Sequence, residues 1–397
     1  MVSGGAGEFR SSDPRDKVYA VLSLSAEYDA PAFQPDYTAP VAAVYTATAT
    51  YIHDSGVPLL AECGRGYEYP YRHHAHVMQV NGCGCAACGR LPDPLPSWVP
   101  NWSATRFHAP LEMARHEHDM YQHMADLGPA AAATLSSLAR LAFQASGAES
   151  VFRAETTSPP PWTVVTATAA RPRLLSLLGC RRVARVARLA VPFAPAYVER
   201  KVGDVDPARP PNLRWHRSVA GENLAVHGPD AWEAFAERHL PALVYRHPVR
   251  GRTVTRKEAF CHTILADKIE GAFGAGEIEA RYDEFVENLR RIQVKEEPTH
   301  VVMDTAEKRA RHQAFHGPLG TACLGRRLGV ADGGYLGLFP LGAREGDEVW
   351  LVSGASTPLV LRPCEEGLWE NVGECYIHGI MHGEAWCTEG LETILLR

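Results

Sequence analysis

The sequence predicts an α+β fold, with a mostly helical N-terminal and central part and a small C-terminal antiparallel β unit forming a partly closed barrel. Two observations support this prediction. Before residue 318, apolar residues recur at helical spacing in several segments. After it, short alternating apolar runs are separated by turn residues. The change of period divides the chain into three predicted regions, residues 1–110, 111–317 and 318–397.

The helical prediction rests on capping signals and on apolar spacing. Asp13-Pro14 is a helix-start signal that precedes the apolar run Lys17–Leu24. Val41–Ile52 places apolar residues three and four apart, as an amphipathic helix does. The remaining segments with a helical pattern or propensity are Ala130–Ala145, Phe260–Lys268 and Glu277–Val294. The first region is therefore expected to begin with two helices.

Two other features mark the first region. Its middle is a loop rich in Cys and His, and its end is an extended, proline-stiffened segment that holds Trp98 and Trp102. Large aromatic side chains on a stiff backbone are suited to pressing onto a core. We therefore expect both tryptophans to anchor this segment to the rest of the fold.

Four short runs predict the strands of the C-terminal β unit. Turn signals such as Gly346-Asp347 divide these runs, and we expect that dipeptide to form a β-turn. The runs are Tyr335–Phe339, Glu348–Val352, Pro358–Pro363 and Leu368–Ile377.

Composition limits the classes of function. With 40 basic and 46 acidic side chains, the net charge of −6 gives no overall attraction to nucleic acid or anionic lipid. The N-terminus lacks the pattern of a signal peptide, and every apolar run is shorter than a membrane span requires. The sequence thus predicts a cytoplasmic protein with reduced cysteines, no transmembrane segment and no nucleic-acid partner.

The basic and apolar stretch 171–201 carries Arg181, Arg185 and Arg188 on one side of a possible helix. A basic amphipathic helix can bind an anionic membrane or an acidic partner. It can equally be a plain surface helix with its arginines in solvent, and Pro192 and Pro195 would end it early.

The sharpest metal-binding pattern lies in the Cys/His-rich loop. Cys83, Cys85 and Cys88 form a C-x-C-x-x-C sequence with His76 shortly before it and Cys63 further upstream. Zinc takes four such ligands in a tetrahedron, so the pattern predicts a structural zinc loop. The alternative is an exposed insertion whose Cys and His residues bind nothing, because the spacing is not that of a standard zinc finger.

Two further groups of polar residues are candidates for chemistry. Asp119 with His123, or His116 with Asp119, could form a metal-binding pair on one helical face, but a protease-type H-E-x-x-H motif would need His in place of Met120. A solvated helix face is the alternative.

The second group lies close to the C-terminus, where Cys375 and His378 could form a nucleophile and base. In an extended strand these two residues point to opposite faces, which argues against that pair. The group also holds Glu374, His382 and Glu384. Burial of the surrounding residues as part of the scaffold is the alternative to catalysis.

Several of these segments resemble one family. DPRDKVYAVLSL at 13–24, followed by PDY at 35–37 and VY at 44–45, resembles a block of the fungal heterokaryon incompatibility (HET) domain proteins. LPSWVPNWS at 95–103 is similar to that family's LPSWVPDWS, with Asn101 in place of Asp. VGECYIHGIMHGE at 372–384 resembles its C-terminal VGExYVHGIMxGE.

The resemblance implies a role in self/non-self recognition and in the cell death that follows fusion of unlike hyphae. The family's signature elements LSYxWG, WIDxxCIxQ and RxWTxQE do not occur here. The chain is therefore expected to correspond to the region after the HET domain, as a truncated product, a fragment or a stand-alone version. Residues 1–110 would be the post-HET helical segment.

The sequence as a whole predicts a regulatory or interaction region that is not an enzyme and that works with a protein partner. We expect no catalytic residue and no cofactor other than the possible zinc. Asp13, Arg15 and Asp16 are expected to cap and tether the first helix. The alternative is a hydrolase-like enzyme that uses a metal or the Cys/His residues.

Overall fold

The computed structural model describes thirteen parts of the chain, and the fold is built from these residues. The described ranges are 11–22, 34–63, 95–103, 111, 145–147, 153–156, 174–191, 229–240, 243–246, 253–268, 276–293, 299–323 and 325–397. The helices are α1 (Asp16–Leu22), α2 (Val41–Asp54), α3 (Pro229–His239), α4 (Arg256–Ile264), α5 (Glu277–Gln293), α6 (Thr299–Val302) and α7 (Ala306–Cys323).

The strands β1 to β4 precede α4, and the strands β5 to β11 follow α7. The first four are β1 (Ala154–Thr156), β2 (Leu175–Leu189), β3 (Leu243–Arg246) and β4 (Thr253–Thr255). The others are β5 (Arg326–Ala331), β6 (Tyr335–Pro340), β7 (Glu348–Val352), β8 (Leu359–Pro363), β9 (Leu368–Glu374), β10 (Tyr376–Ile377) and β11 (Glu392–Leu396). Helices and strands are thus mixed, which confirms the predicted α+β class. Because strands also occur before residue 318, the predominance of helix there stays a prediction.

A nine-stranded sheet organises the molecule. Its strands follow the order β10-β6-β5-β2-β11-β9-β8-β7, with β1 beside β2. Because β2 also pairs with β7, five strands close into a ring: β2, β11, β9, β8 and β7. One long strand therefore belongs both to the ring and to the flanking strands β5 and β6.

This closing strand corrects a sequence prediction. The stretch with Arg181, Arg185 and Arg188 forms the 15-residue strand β2 and not a helix. Its pairing register shifts between Arg182 and Ala184 and again between Val186 and Arg188. Such bulges break the two-residue alternation by which a strand is recognised in a sequence, and they leave a spacing that resembles a helix.

The four predicted runs of the C-terminal β unit are confirmed as β6, β7, β8 and β9 with β10. One pair departs from the antiparallel prediction, since β11 runs parallel to β9. The chain between them, 375–391, is long enough for the crossover that a parallel pair needs. The expected turn at Gly346-Asp347 is also confirmed: Gly346 has φ +95°, and the Asp347 N–H donates to the Arg344 carbonyl over 3.2 Å.

An N-terminal layer, made of α1, α2 and residues 95–103, packs on the ring. Its core includes Val18, Tyr45, Trp98 and Trp102, which join side chains from β2, β7, β8 and β11. Trp98 is 0% and Trp102 is 2% exposed, so both serve as the predicted anchors. The C-terminus adds a tie, because the Ser97 N–H donates to the Arg397 carbonyl over 2.8 Å.

The segments that resemble the HET family meet inside this layer. Arg15 donates to both carboxylate oxygens of Asp13 and to the backbone carbonyls of Tyr37 and Ala39. The Tyr45 hydroxyl donates to the Pro14 carbonyl over 2.7 Å and lies 2.6 Å from the Ser103 hydroxyl.

The first helix is held in the way that the sequence predicts. The Asp13 carboxylate accepts from the Arg15 N–H over 2.9 Å, and the Tyr37 hydroxyl donates to Asp16 over 2.6 Å. The expected tether by Asp13, Arg15 and Asp16 is therefore confirmed.

A C-terminal layer, made of α3, α4, α5 and α7, covers β5, β6 and β10. Its apolar core is built around Trp232, Phe260, Tyr282 and Phe315. Thr255 caps α4 by accepting from the Glu258 N–H over 3.0 Å, and this fixes where the helix enters the core. No helix in the described residues is long and apolar enough to cross a membrane.

Candidate functional site

The end of α4 places a carboxylate beside the helix's own histidine. Ala266 and Asp267 have φ values of +46° and +53°, a conformation that non-glycine residues seldom adopt. The turn is held by the Asp267 N–H, which donates to the His262 carbonyl over 3.0 Å. This left-handed reversal folds the chain back and directs the Asp267 side chain at the His262 ring. Backbone strain of this kind concentrates where a side chain must be positioned.

Strand β10 supplies the other half of the site. Tyr376 pairs with Leu338 of β6, and the His378 N–H donates to the Leu336 carbonyl over 2.9 Å. Gly337 permits this close approach, because a Cβ there would lie 2.5 Å from the Tyr376 carbonyl oxygen. Residues two apart on a strand share a face, so Tyr376 and His378 point together toward α4.

The four side chains form one connected group, the His–Asp–Tyr network. His262 Nδ1 lies 2.6 Å from Asp267 Oδ1, and the Tyr376 hydroxyl donates to Asp267 Oδ2 over 2.6 Å. His378 Nδ1 lies 3.1 Å from the same hydroxyl. The two imidazole rings stack, with centroids 5.7 Å apart and planes inclined by 16°.

Burial and charge act in opposite directions on the network's carboxylate. Burial alone would raise the pKa of Asp267, but the hydrogen bond from His262, the charges of both histidines and the bond from Tyr376 hold it well below its usual range. The carboxylate is therefore ionised at any physiological pH. Both imidazoles are inaccessible to solvent, since His262 is 1% and His378 is 0% exposed. The Asp267 side chain, by contrast, is 20% exposed.

A second buried charge pair lies beside the network. Arg326 donates to Glu374 Oε1 over 2.6 Å, and neither side chain is exposed. The same carboxylate accepts from the Leu111 N–H and from the Thr357 hydroxyl. Burial raises the pKa of Glu374, and the charge of Arg326 opposes that rise. Glu374 thus links β9 to β5, to the backbone of Leu111 and to Thr357.

The structure separates Cys375 from His378, as the extended geometry predicts. The Cys375 thiol is buried and directed at the Pro358 carbonyl over 3.6 Å, away from the partners of His378. Burial raises the pKa of this thiol well above its usual value, so it is not a ready thiolate.

The other members of that predicted group do not join the network. His382 is exposed, and its N–H donates to Glu384 over 2.8 Å. The sequence candidates Glu374, Cys375, His378, His382 and Glu384 therefore do not share one cleft.

The predicted metal ligands cannot be placed. Cys83, Cys85, Cys88 and His76 lie outside the described residues, as do His116, Asp119 and His123. Cys63 is described, and its thiol lies in the N-terminal layer, directed at the carbonyls of Leu59 and Trp98. Within the described ranges, no group of three or more His, Cys, Asp or Glu residues is arranged to hold a metal ion.

Sequence reasoning missed half of the network. His262 and Asp267 are more than a hundred residues before Tyr376, and nothing local links them. One weak signal was present: His262 interrupts the otherwise apolar or small run Ala259–Ala266. A polar ring inside a buried helix needs a buried partner. Arg326 gave no such signal, because it is followed by a second arginine, Arg327, that is only partly buried.

The network is suited to holding a proton and orienting imidazoles. A carboxylate bonded to a histidine fixes the ring's tautomer, as in general base catalysis. The contacts described above join His262 to the Asp267 carboxylate and His378 to the Tyr376 phenol. Both rings are enclosed in the core.

Comparison with known proteins gives one match. Residues 243–396 match the family model described as the Het-6 β-barrel domain. No curated protein and no solved structure matches the chain. The matched segment contains the whole His–Asp–Tyr network and four of the five ring strands, whereas β2, which closes the ring, lies outside it.

Proposed function

We propose that this chain, whose residues 243–396 belong to the heterokaryon incompatibility-associated Het-6 β-barrel family, is a non-catalytic regulatory and interaction region. It takes part in self/non-self recognition and in the associated cell death, acts in the cytoplasm and binds a protein partner. No cofactor is needed for this role.

The enclosure of the network supports this proposal most directly. The imidazoles are 1% and 0% exposed and are bonded to Asp267 and Tyr376, so no substrate reaches them without opening the core. The Cys375 thiol is buried and directed elsewhere. The most reactive side chains of the described core therefore serve packing and hydrogen bonding.

The alternative is a hydrolase-like enzyme, and one observation favours it. The 2.6 Å contact between His262 and Asp267 has the form of a base and its orienting carboxylate. Such an enzyme would require an opening motion at the strained turn of Ala266 and Asp267.

Complementation in a fungal host separates the two functions. The gene is deleted from a strain that shows an incompatibility response with a tester strain, and survival of the fused cells is scored. Deletion should abolish the response, and the wild-type chain should restore it. Tyr376→Phe and Cys375→Ala should restore it as well, because neither removes a catalytic group in this proposal.

The controls decide the outcome. Each variant is purified and its thermal unfolding compared with that of the wild type, so that loss of folding is not mistaken for loss of activity. A response that survives deletion overturns the incompatibility role. A Tyr376→Phe protein that is as stable as the wild type but fails to restore the response supports the enzyme instead.

A further inference from the structure

Strand β2 exposes three arginines in one line, which we call the arginine row: Arg182, Arg185 and Arg188. Their side chains are 55%, 55% and 60% exposed. Residues three apart on a regular strand point to opposite faces. An unbroken strand would therefore not collect these residues on one side.

Bulges in β2 bring the three arginines to one side of the strand. Arg182 lies opposite Trp350 and Arg185 opposite Glu348, two residues that share a face of β7. The register shift between Arg182 and Ala184 supplies the extra residue that makes this possible. A second shift, between Val186 and Arg188, repeats the effect and brings Arg188 to the same side. Two irregularities in one strand thus align three like charges.

Side chains on this face of the sheet change from buried to exposed along β2. In the first half of the strand, Leu175, Leu177 and Cys180 face the N-terminal layer and are fully buried by it. From Arg182 onward the arginines on this face are exposed to solvent, while Trp350 and Glu348 beside them on β7 stay buried. The row therefore continues a face that a protein layer already covers in part.

The charges are only partly balanced. Glu348 Oε1 accepts from both Arg182 and Arg185 at 3.1 Å, and Glu345 accepts from Arg188 at 3.0 Å. Three guanidinium groups thus share two carboxylates. Glu348 is only 6% exposed, so it holds two guanidinium groups in place while their other N–H donors face solvent.

We propose that the arginine row binds an extended acidic segment of a partner protein, whose carboxylates pair with the guanidinium groups. This rests on the proposed function as an interaction region and names its surface. A narrow peptide meets only the row, whereas a membrane is broad and would also face a chain of net charge −6. The row contains no aromatic side chain for base stacking, which disfavours nucleic acid.

Binding of a labelled peptide tests the proposal on the purified full chain. The probe is a fluorescent peptide of alternating Glu and Ser, and its anisotropy is measured at low and at moderate salt. We expect saturable binding that weakens as salt rises. Each substitution Arg182→Gln, Arg185→Gln or Arg188→Gln should weaken it on the order of threefold, and the triple variant by at least about tenfold.

Two matched variants sharpen the test. Arg181 is the neighbouring arginine but lies opposite Leu351, on the other face, so Arg181→Gln should leave affinity unchanged. Glu345 is 53% exposed and competes for Arg188, so Glu345→Gln should tighten binding on the order of twofold. Equal weakening by Arg181→Gln and by the row variants would show a non-specific charge effect and overturn the proposal.

Further probes separate the possible partners. The same chain is mixed with a Gln/Ser peptide, with phosphatidylcholine vesicles containing phosphatidylserine, and with single-stranded DNA. Row-dependent binding to vesicles or DNA without binding to the Glu/Ser peptide overturns the proposal. Absence of peptide binding in a chain that still restores incompatibility overturns the docking surface alone and leaves the proposed function standing.

Discussion

The two helical layers rest on one sheet but are tied to it by different polar chemistry. The ties from the N-terminal layer to the sheet are made by neutral groups, such as the Asn371 N–H donating to the Ser97 hydroxyl and the Asn371 side chain donating to the Leu60 carbonyl. The Asp13–Arg15 ion pair lies within the layer. The C-terminal layer encloses charges, in the Arg326–Glu374 pair and in the His–Asp–Tyr network. The N-terminal layer should therefore be sensitive to protonation of its buried, neutral His53, and the C-terminal layer to loss of a countercharge.

The largest expected effect is on the buried ion pair. Arg326→Met leaves the Glu374 charge without its main partner in the core, which should lower the free energy of unfolding by about 3–5 kcal/mol. Adding Glu374→Gln should recover part of the loss. Urea unfolding followed by circular dichroism measures both.

An exposed pair provides the control for that experiment. Arg281 and Glu277 form an i,i+4 pair on α5, so Arg281→Gln should change stability by less than about 0.5 kcal/mol. A similar small change for Arg326→Met would contradict the view that buried charge distinguishes the C-terminal layer.

The next effect concerns pH and the N-terminal layer. Burial lowers the pKa of His53 to about 4, below its value of 6.5 in the unfolded chain. The unfolded chain therefore takes up the proton first as the pH falls. The contribution of the neutral ring is complete above pH 6.5 and is lost between pH 6.5 and about 4, reaching about 3 kcal/mol.

His53→Gln should flatten this loss in a pH series of urea unfolding. His312 on α7, whose pKa burial also lowers to about 4, adds a background slope that is the same in both proteins. In the C-terminal layer the contribution of Asp267 begins to fall only below its unfolded pKa of about 4. Between pH 7 and pH 5, hydrogen exchange of α2 should therefore increase more in the wild type than in His53→Gln, whereas the increase in α4 should be the same in both proteins. An equal difference in both helices would contradict this prediction.

A smaller effect tests the close approach of β10. Gly337→Ala places a Cβ 2.5 Å from the Tyr376 carbonyl oxygen and should cost about 1–3 kcal/mol by overpacking. The matched control is Gly320→Ala in α7, where nothing lies within 4 Å of the new Cβ. That change should stabilise the helix by about 0.5–1 kcal/mol. Thermal unfolding should show a lower melting temperature for Gly337→Ala and a higher one for Gly320→Ala.

The smallest effect concerns Arg15. Its planar guanidinium reaches Asp13 and two backbone carbonyls at once, which a lysine cannot do. Arg15→Lys should cost about 1 kcal/mol, and Arg188→Lys, at a 60% exposed side chain, should cost less. Equal effects of the two substitutions in thermal unfolding would mean that the tether does not hold the N-terminal layer.

The sequence predicts those parts of the fold that repeat a local pattern. The spacing of apolar residues in Val41–Asp54 and Glu277–Gln293 marks a helix because each turn buries the same side. The runs that became β6 to β9 are bounded by turns whose residues are visible locally. Strand β2 was not predicted because its bulges interrupt the alternation three times.

The site depends on contacts that no local pattern encodes. His262 and Asp267 meet Tyr376 and His378 only because β10 pairs with β6 beneath α4. The sequence contributed His378 and Glu374 through their position in a family-like block, without their partners. Asp267 depends on a left-handed turn at two consecutive non-glycine residues, and although Asp is enriched in that conformation, Ala266 before it is not.

The position of β2 in the chain also bears on synthesis. Apart from the three-residue strand β1, its strand partners begin at Arg326, so a growing chain completes β2 at Leu189 long before any of β5, β7 or β11 exists. A strand of 15 residues that is paired only at its first three, Leu175–Leu177, invites association with other chains. Arginines along it repel a second copy, so the feature that we assign to partner binding would also protect the nascent protein from aggregation.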